Sequence, residues 1–364
     1  MDRQTYMEIN IGNFNNNVSI LNKLSLNNGK QIMPILKANG YGTYINKVSS
    51  VINEFKIIGL AICSEAIEIR NNGYSNDIFI LNEPYIEDIE NIIKYNLIVG
   101  VSSFKFIDTI GKRGDPVKIF IEIETGMGRT GVKPENLQKC ISLIQSYSNI
   151  EVVGCYTHFC VADSDSNDNI DFTNRQIKTF DEAVKSLKAV FPNMKYFSSE
   201  ASDGLLKYND QEANLTRPGL ILYGYEPYVG AFNGLDLKPI AKLKSKISYI
   251  KNINANESIG YGRTFISNKP MRIATVGIGY ADGLPRELSN KGEVVINGKK
   301  SKILGIICMD SFMCDVTNID CNEGDEVYIW DNDLVTIEDI ASKCNTINYE
   351  ILSRISDRVP RIFI

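Results

Sequence analysis

A lysine ends a short apolar segment near the start of the chain, where its amine could take part in a reaction. Lys37 follows Pro34-Ile35-Leu36 and precedes Ala38-Asn39-Gly40-Tyr41-Gly42. An amine at the end of an apolar strand is partly desolvated, which lowers its pKa and frees it to act as a nucleophile or base. From this segment alone, an ordinary solvated lysine at a strand end is an equally good interpretation.

An arginine and a histidine occupy comparable positions further along. Arg129 lies in a loop with three glycines, Thr125-Gly126-Met127-Gly128-Arg129-Thr130-Gly131, which can direct a guanidinium at an anion. His158, the only histidine, closes the apolar run 151–158. A flexible loop with a solvated arginine and a structural histidine remain the alternatives.

Two glycine-containing segments could bind a phosphate. They are Ala201-Ser202-Asp203-Gly204 and Thr216-Arg217-Pro218-Gly219-Leu220. The Ser202 hydroxyl and the backbone N–H groups near Gly219 and Leu220 could form an anion cup, with Arg217 beside it. Parallel barrels often bind phosphate with the loops after their seventh and eighth strands.

Three later motifs are weak individually. Tyr261 stands between Gly260 and Gly262, so its phenol is exposed and other backbone can approach closely. The segments 279–283 (Gly-Tyr-Ala-Asp-Gly) and 308–310 (Cys-Met-Asp) follow, and a Tyr-Ala-Asp-Gly segment is usually a β-turn.

The predicted strands and helices that carry these residues alternate over the first two thirds of the chain. Eight short apolar segments alternate with amphipathic ones, which predicts an α/β fold with a closed, parallel, TIM-like (β/α)8 barrel. A doubly wound open sheet is the alternative, but it predicts a GxGxxG motif after the first strand, and the sequence has none there. The predicted strands are 31–37, 57–63, 77–81, 97–101, 117–122, 151–158, 194–199 and 215–223, and the clearest helices are 65–72, 85–94, 136–146 and 174–189.

The periodicity of apolar residues changes after about residue 235. Helical periodicity fades, and short alternating runs are separated by turn signals such as Asn297-Gly298 and Glu323-Gly324-Asp325. This pattern predicts a C-terminal, mainly β domain. We therefore divide the chain into a barrel, 1–235, and a β domain, 236–364.

Composition excludes several classes of function. The net charge of −5 over 364 residues gives no electrostatic basis for binding nucleic acid or an anionic membrane surface. The polar start, Met1-Asp2-Arg3-Gln4, predicts no signal peptide, and no apolar run approaches the ~18 residues of a membrane span. Eight cysteines without a CxxC pair, and a single histidine, favour buried free thiols in the cytoplasm over disulfides or a metal site.

Taken in order, these motifs resemble the alanine racemase family, the barrel-type, pyridoxal-phosphate-dependent amino-acid racemases, over nearly the whole chain. The resemblance implies a homodimer with shared active sites, pyridoxal 5'-phosphate as cofactor and a small amino acid as substrate. The matching segments are 37–42, 125–129, 156–159, 217–219, 222–224, 260–264, 279–283, 308–310, 347–350 (Ile-Asn-Tyr-Glu) and the arginine-rich 354–361.

The resemblance also implies roles for individual residues. Lys37 would hold the cofactor and act as one acid/base group, and Tyr261 from the partner subunit would be the second. Arg217 would hydrogen-bond the pyridine nitrogen, and His158 would link Arg217 to the tyrosine side of the site. The remaining assignments are Tyr41, Ser202, Gly219, Leu220 and Tyr349 to the cofactor phosphate, Arg129 to the cofactor phenolic oxygen and the substrate carboxylate, and Tyr280, Met309 and Asp310 of the partner to the substrate entrance.

The chemistry of racemisation agrees with these roles. A proton must leave Cα from one face and return on the other, which two opposed bases achieve. Lysine and tyrosine both have ordinary pKa values near 10, so both must be lowered for work near neutral pH, and a positive Arg217–His158 pair would favour tyrosinate. Arginine keeps its proton, so the pyridine nitrogen stays unprotonated, which suits a racemase better than an aminotransferase.

The sequence departs from the family pattern at several positions. Many members carry a carbamylated lysine where Glu122 stands, and our hypothesis is that Glu122 pairs with Arg129 in its place. The alternative is a solvent-facing Glu122. Ala201 replaces the usual asparagine, which leaves the register near Glu200 open, and Thr43, Gly260 and Ser311 replace a common histidine, serine and glutamine.

These departures keep other functions open. The nearest alternative is a racemase for serine, lysine or arginine, or one of broad specificity, because a pocket discriminates a methylene by only ~1–3 kcal/mol. A non-catalytic pyridoxal-phosphate carrier would lack the β domain with Tyr261. A decarboxylase on the same barrel would lack the Gly-Tyr-Gly-Arg-Thr and Arg-Pro-Gly motifs.

Overall fold

The computed structural model describes residues 3–364, which separate into two compact units. The barrel unit comprises residues 15–40 and 45–238, and the second unit comprises residues 3–14, 41–44 and 239–364. No helix within residues 3–364 is both long enough and apolar enough to cross a membrane.

The strands and helices are numbered in chain order. The strands are β1 (Tyr6–Ile9), β2 (Gln31–Ile32), β3 (Ile57–Leu60), β4 (Asp77–Ile80), β5 (Ile98–Val101), β6 (Val117–Glu122), β7 (Ile150–Tyr156), β8 (Tyr196–Ser198), β9 (Leu215–Thr216), β10 (Ala241–Ile253), β11 (Ser258–Ile259), β12 (Phe265–Ile266), β13 (Met271–Val276), β14 (Glu293–Ile296), β15 (Lys299–Leu304), β16 (Phe312–Asp315), β17 (Glu326–Trp330) and β18 (Arg361–Phe363). The helices are α1 (Ile11–Asn27), α2 (Lys37–Tyr41), α3 (Ser49–Ile52), α4 (Cys63–Asn71), α5 (Ile89–Lys94), α6 (Phe104–Arg113), α7 (Leu137–Gln145), α8 (Asn167–Val190), α9 (Ser202–Lys207), α10 (Ile337–Lys343) and α11 (Asn348–Ser353).

Eight parallel strands close into a ring in the barrel unit. Strands β3 to β8 form one parallel sheet in sequence order, and β2 pairs with β9. Parallel bridges join Ile35 to Gly59 and Ala201 to Arg217, which connects the pair to both edges of the sheet. The predicted (β/α)8 barrel is therefore confirmed, and the open sheet is excluded.

The barrel strands are apolar because both of their faces are covered. All four residues of β3 and all four of β5 are buried, as expected for parallel strands between a packed interior and a layer of helices. Glycine allows one close approach in the interior: a Cβ on Gly100 would lie 2.6 Å from the Tyr156 Oη. Gly100 therefore makes room for the Tyr156 ring at the carboxyl end of β7.

Several predicted elements of the barrel have different bounds in the structure. The strand predicted over 31–37 is limited to β2, and beyond it only Ile35 forms a further bridge. The strand predicted over 215–223 is limited to β9, and a 3-10 turn over Leu220–Tyr223 replaces its second half. Pro218 cannot donate a hydrogen bond to a neighbouring strand, which explains this early end. The helix predicted to start at residue 174 starts at Asn167, because the Ser166 side chain caps it by accepting from the Asn169 N–H.

The second unit is built on an eight-stranded sheet with the order β13-β16-β15-β14-β17-β10-β1-β18. The predicted mainly β character is confirmed, although the sequence did not indicate the short helices α10 and α11. Strand β1 pairs with β10 and β18, so residues 3–14 group with this unit and not with the barrel. The division at residues 235/236 otherwise stays a prediction.

Candidate active site

Lys37 comes shortly after Ile35, whose bridge to Gly59 continues the first barrel strand beyond β2, and it begins a left-handed turn. Ala38 (φ 53°, ψ 49°) and Asn39 (φ 54°, ψ 47°) are left-handed, as is Gly40. Such a conformation costs an ordinary L-residue roughly 1–2 kcal/mol. The Gly40 N–H donates to the Leu36 carbonyl at 2.8 Å, which closes the turn around Lys37.

The environment of the Lys37 amine favours its neutral form. Burial is the largest cause that lowers its pKa, and the positive charges of Arg129 and Arg217 act in the same direction. The carboxylate of Glu65 acts in the opposite direction. The desolvation expected for this lysine from the sequence is therefore confirmed.

Arg217 is buried at the carboxyl end of β9, and its guanidinium is anchored to the barrel. Nη1 donates to the Ser198 carbonyl at 2.6 Å, and Nη2 donates to the Thr157 carbonyl. The guanidinium also lies 5.6 Å from the centroid of the Tyr156 ring. Within residues 3–364, Nε donates to no acceptor in this arrangement. Burial lowers the pKa of Arg217 to about 10, so it remains a cation near neutral pH.

His158 follows β7 and lies within electrostatic range of Arg217, Arg129 and Lys37. Burial is the largest cause that lowers its pKa to about 3, followed by the charges of Arg217, Arg129 and Lys37. The imidazole is therefore neutral near pH 7. The structure gives no direct hydrogen bond between His158 and Arg217 in the described residues, so the predicted link between them stays a prediction.

Glu122 is buried at the end of β6, but it has a different partner from the one predicted. Its Oε2 accepts a hydrogen bond from the Ser102 hydroxyl at 2.9 Å, and only 4% of the residue is exposed. Within residues 3–364, Glu122 forms no ion pair with Arg129, which is exposed. The direct pair is absent because the buried carboxylate faces Ser102 and Tyr156, and the solvent-facing alternative is excluded as well.

Ser202 and Gly219, which we assign to the cofactor phosphate, are neighbours within the barrel unit, and their role stays a prediction. The Ser202 hydroxyl accepts a hydrogen bond from the Gly219 N–H at 3.0 Å, and Leu220 begins the 3-10 turn beside it. The register of the family motif near Glu200 stays open, although the positions of the residues themselves are clear. Glu200 is buried and pairs with Lys30 at 2.5 Å, while Ser202 begins α9.

The remaining predicted residues lie in the second unit. The rings of Tyr41 and Tyr349 are neighbours, 6.1 Å apart between centroids, and their assignment to the phosphate stays a prediction.

Tyr280 and Met309 are brought together, since the Tyr280 N–H donates to the Cys308 carbonyl. Both are exposed, and Asp310 pairs with Arg358 at 2.7 Å. Tyr261 is 68% exposed in a turn where Gly260 (φ 73°) and Gly262 (φ 68°) are left-handed.

The structure adds two residues that our sequence analysis missed. Glu65, in the first turn of α4, accepts hydrogen bonds from the Ala38 and Ala61 N–H groups at 2.5 and 2.9 Å. Gln176, on α8, donates to the Thr125 hydroxyl at 3.0 Å and to the His158 carbonyl at 3.2 Å. Only the position of Glu65 directly after a barrel strand was a usable signal, because catalytic groups of barrels lie there. Gln176 is one polar residue in a long helix and carries no such signal.

Fold and site together define a barrel enzyme with cationic and titratable side chains at the carboxyl ends of its strands and a second, strand-rich unit. The comparisons with known proteins are more specific. Residues 9–227 match the family model described as "Alanine racemase, N-terminal domain", and residues 240–363 match "Alanine racemase, C-terminal domain". The chain therefore belongs to the alanine racemase family, a family of amino-acid-racemising isomerases.

Individual relatives are similar over their full length. The alanine racemase of Halothermothrix orenii is 34% identical, with 99% of this chain and 96% of that protein covered. The alanine racemase of Methanococcus maripaludis is also 34% identical, with coverage of 99% and 98%. The solved structure of the Clostridium difficile 630 alanine racemase is 32% identical, with a TM-score of 0.92 and coverage of 100% and 96%. The Bacillus anthracis alanine racemase, solved with bound L-Ala-P, is 28% identical, with a TM-score of 0.90 and coverage of 100% and 96%.

Proposed function

We propose that this protein interconverts L-alanine and D-alanine with pyridoxal 5'-phosphate, using Lys37 and Tyr261 of the partner subunit as two opposed bases. The observation that carries the proposal is the environment of Lys37. Its amine is partly buried, its pKa is lowered, and Arg129 and Arg217 both contribute to that shift. An amine whose pKa is lowered, at the carboxyl end of a barrel strand, is suited to covalent attachment and to proton transfer.

The residues present fit the proposed cofactor. Both terminal nitrogens of Arg217 are anchored to carbonyl groups, while its Nε–H has no acceptor in the described part of the chain and is left for the pyridine nitrogen. Ser202 and the backbone at Gly219 and Leu220 would hold the phosphate, and Lys37 would carry the cofactor. When bound, pyridoxal phosphate withdraws electrons from the substrate Cα and makes its proton acidic.

The side chains of this protein would move that proton. Lys37 in its neutral form accepts a proton from one face of Cα, and Tyr261 of the partner subunit returns one to the other face. Arg217 keeps its own proton, so it stays a hydrogen-bond donor throughout. Arg129 would hold the substrate carboxylate, and the neutral His158 adds no positive charge that would compete with it.

A homodimer follows from the proposed role of Tyr261. This tyrosine is exposed in its own subunit, as are Tyr280 and Met309, and in a dimer these residues of the partner subunit would border the substrate entrance. All eight cysteines are free thiols, which fits a reducing cytoplasm. There the product would supply D-alanine for peptidoglycan.

The test is D-amino-acid formation by the purified, cofactor-loaded protein in deuterium oxide. L-Alanine, L-serine, L-lysine and L-arginine are offered separately, and uptake of deuterium at Cα is followed by mass spectrometry. We expect the fastest exchange and racemisation with alanine, and loss of both in Lys37→Ala.

The other outcomes have defined meanings. A preference for serine, lysine or arginine would keep the two-base mechanism and replace the substrate. If no amino acid exchanges its Cα proton although the cofactor is bound, the racemase proposal is incorrect, and a carrier or a decarboxylase takes its place.

A further inference from the structure

The carboxylate of Glu65 connects the segment that follows Lys37 to the segment that follows β3. Its Oε1 accepts from the Ala38 N–H at 2.5 Å, and its Oε2 accepts from the Ala61 N–H at 2.9 Å. Ala38 follows Lys37, and Ala61 follows β3, which bridges to the first strand. Both oxygens are therefore used: one holds the backbone directly after Lys37, and the other holds the backbone directly after β3.

The bond to Ala38 stabilises an unfavourable conformation. Ala38 is left-handed without the freedom of a glycine, and its N–H lies at the beginning of the turn, before the first hydrogen bond that the turn itself provides. A charged acceptor makes a stronger hydrogen bond than a neutral one. Glu65, which lies on α4 and outside the turn, therefore supplies the acceptor for the Ala38 N–H that the turn itself lacks.

The same carboxylate contributes to the charge balance at the Lys37 amine. Arg129, in the loop after β6, and Arg217, after β9, both favour the neutral amine, and Glu65 opposes them. His158, after β7, is neutral near pH 7. Removal of the Glu65 charge would therefore lower the pKa of the Lys37 amine further, because burial and the two arginines would act without its opposition.

We propose that Glu65 is a positioning residue for Lys37: it fixes the left-handed turn that orients the lysine and supplies a carboxylate charge that opposes Arg129 and Arg217. This inference rests on the proposed role of Lys37 as the residue that carries the cofactor. Glu65 touches the backbone on either side of the site and acts only through Lys37.

The experiment measures the reactivity of Lys37 in the full-length protein after removal of the cofactor. The rate at which an amine-reactive reagent modifies Lys37 is followed by peptide mass spectrometry as a function of pH. In Glu65→Gln we expect Lys37 to react about twofold to fivefold faster at a fixed mildly alkaline pH, because one partly exposed opposing charge is lost. Glu68→Gln is the matched control, since Glu68 lies on the same helix and pairs with Lys47 at the surface. A Glu65→Gln profile that coincides with those of the wild type and Glu68→Gln overturns the role of the charge.

A second variant separates charge from geometry and covers the case in which Glu65→Gln does not fold. Glu65→Asp keeps the charge but is one methylene too short to reach both N–H groups. We expect it to keep a profile close to wild type while binding pyridoxal phosphate more weakly in an equilibrium titration. Wild-type cofactor affinity in Glu65→Asp overturns the positioning role. Neither readout requires turnover, so an inactive wild-type protein would count against the proposed function and not against this inference.

Discussion

At the scale of single residues, buried carboxylates and cations determine which groups in the barrel can exchange protons. Glu122 and Arg217 illustrate this: the Glu122 carboxylate contributes to the environment of both Arg217 and Tyr156, although it forms no direct pair with Arg129. A buried charge of this kind is costly to remove, because its partners lose their acceptor.

Replacement of Glu122 by glutamine tests its importance for the reaction. We expect kcat/KM for L-alanine to fall about tenfold in Glu122→Gln, which corresponds to roughly 1.4 kcal/mol of transition-state stabilisation. Glu151→Gln, an exposed position near the start of the next strand, is the control and should behave as wild type. Unchanged activity and substrate affinity in Glu122→Gln would rule out any role for this carboxylate in place of the modified lysine.

His158 allows a prediction about pH, because it is the only histidine of the chain. Its pKa is 6.5 in the reference state and about 3 in the folded protein, so the unfolded chain binds the proton first as pH falls. The stability contributed by the neutral imidazole is therefore complete above pH 6.5 and decreases between pH 6.5 and about 3. In urea unfolding of the cofactor-free protein, His158→Gln should lose about 3 kcal/mol less than the wild type between about pH 7.5 and about pH 4.5. Equal losses in both proteins would contradict the neutral state of the half-buried His158.

At the scale of elements, helix α8 holds together two segments that carry proposed site residues, the loop of Arg129 and the end of β7. The Gln176 side chain reaches the Thr125 hydroxyl, the His158 carbonyl and, through its oxygen, the Cys160 N–H. The Thr125 hydroxyl continues this chain to the Thr157 hydroxyl at 2.7 Å. The loop of Arg129 and the end of β7 are therefore connected through one buried amide.

Loss of this amide should impair substrate binding more than folding. In Gln176→Leu we expect kcat/KM for L-alanine to fall about tenfold to a hundredfold, because small displacements of positioning groups are expensive in catalysis. Thr173→Val is the matched control: Thr173 is buried one turn earlier on α8, and its hydroxyl bonds only to the Asn169 carbonyl of the same helix. Steady-state kinetics at both positions, with urea unfolding to verify folding, decide the point. Equal kinetics for the two variants would show that Gln176 only fills space.

At the scale of the whole molecule, the proposed site needs residues from two chains. Lys37 lies in the barrel unit, and Tyr261 is exposed on the second unit. A dimer with two equivalent interfaces would present Tyr261 of each chain to Lys37 of the other. The function is then a property of the assembly.

Subunit mixing tests this arrangement. Lys37→Ala and Tyr261→Phe homodimers should each be inactive, whereas refolding equal amounts of both together should restore about a quarter of the wild-type activity, since half of the dimers are mixed and each has one intact site. The double variant, Lys37→Ala with Tyr261→Phe in one chain, should restore nothing when refolded with either single variant. No recovery in the first mixture would contradict a site shared between subunits.

The barrel and the row of candidate residues at the carboxyl ends of its strands could be predicted from the sequence alone. The alternation of eight apolar segments with amphipathic ones predicted parallel strands, and in a closed parallel barrel all carboxyl ends lie on one side. Lys37, His158 and Arg217 were therefore predictable as neighbours from their positions after the first, sixth and eighth barrel strands.

The side chains that these residues contact could not be predicted from the sequence and are known from the folded chain. Glu122 accepts from Ser102 and not from Arg129, Glu65 holds the turn after Lys37, and β1 joins the second unit. These contacts join residues that are 20 or more positions apart, and their geometry depends on side-chain rotamers and strand register across several elements. Periodicity records which face of an element is buried, but not which polar atoms meet there.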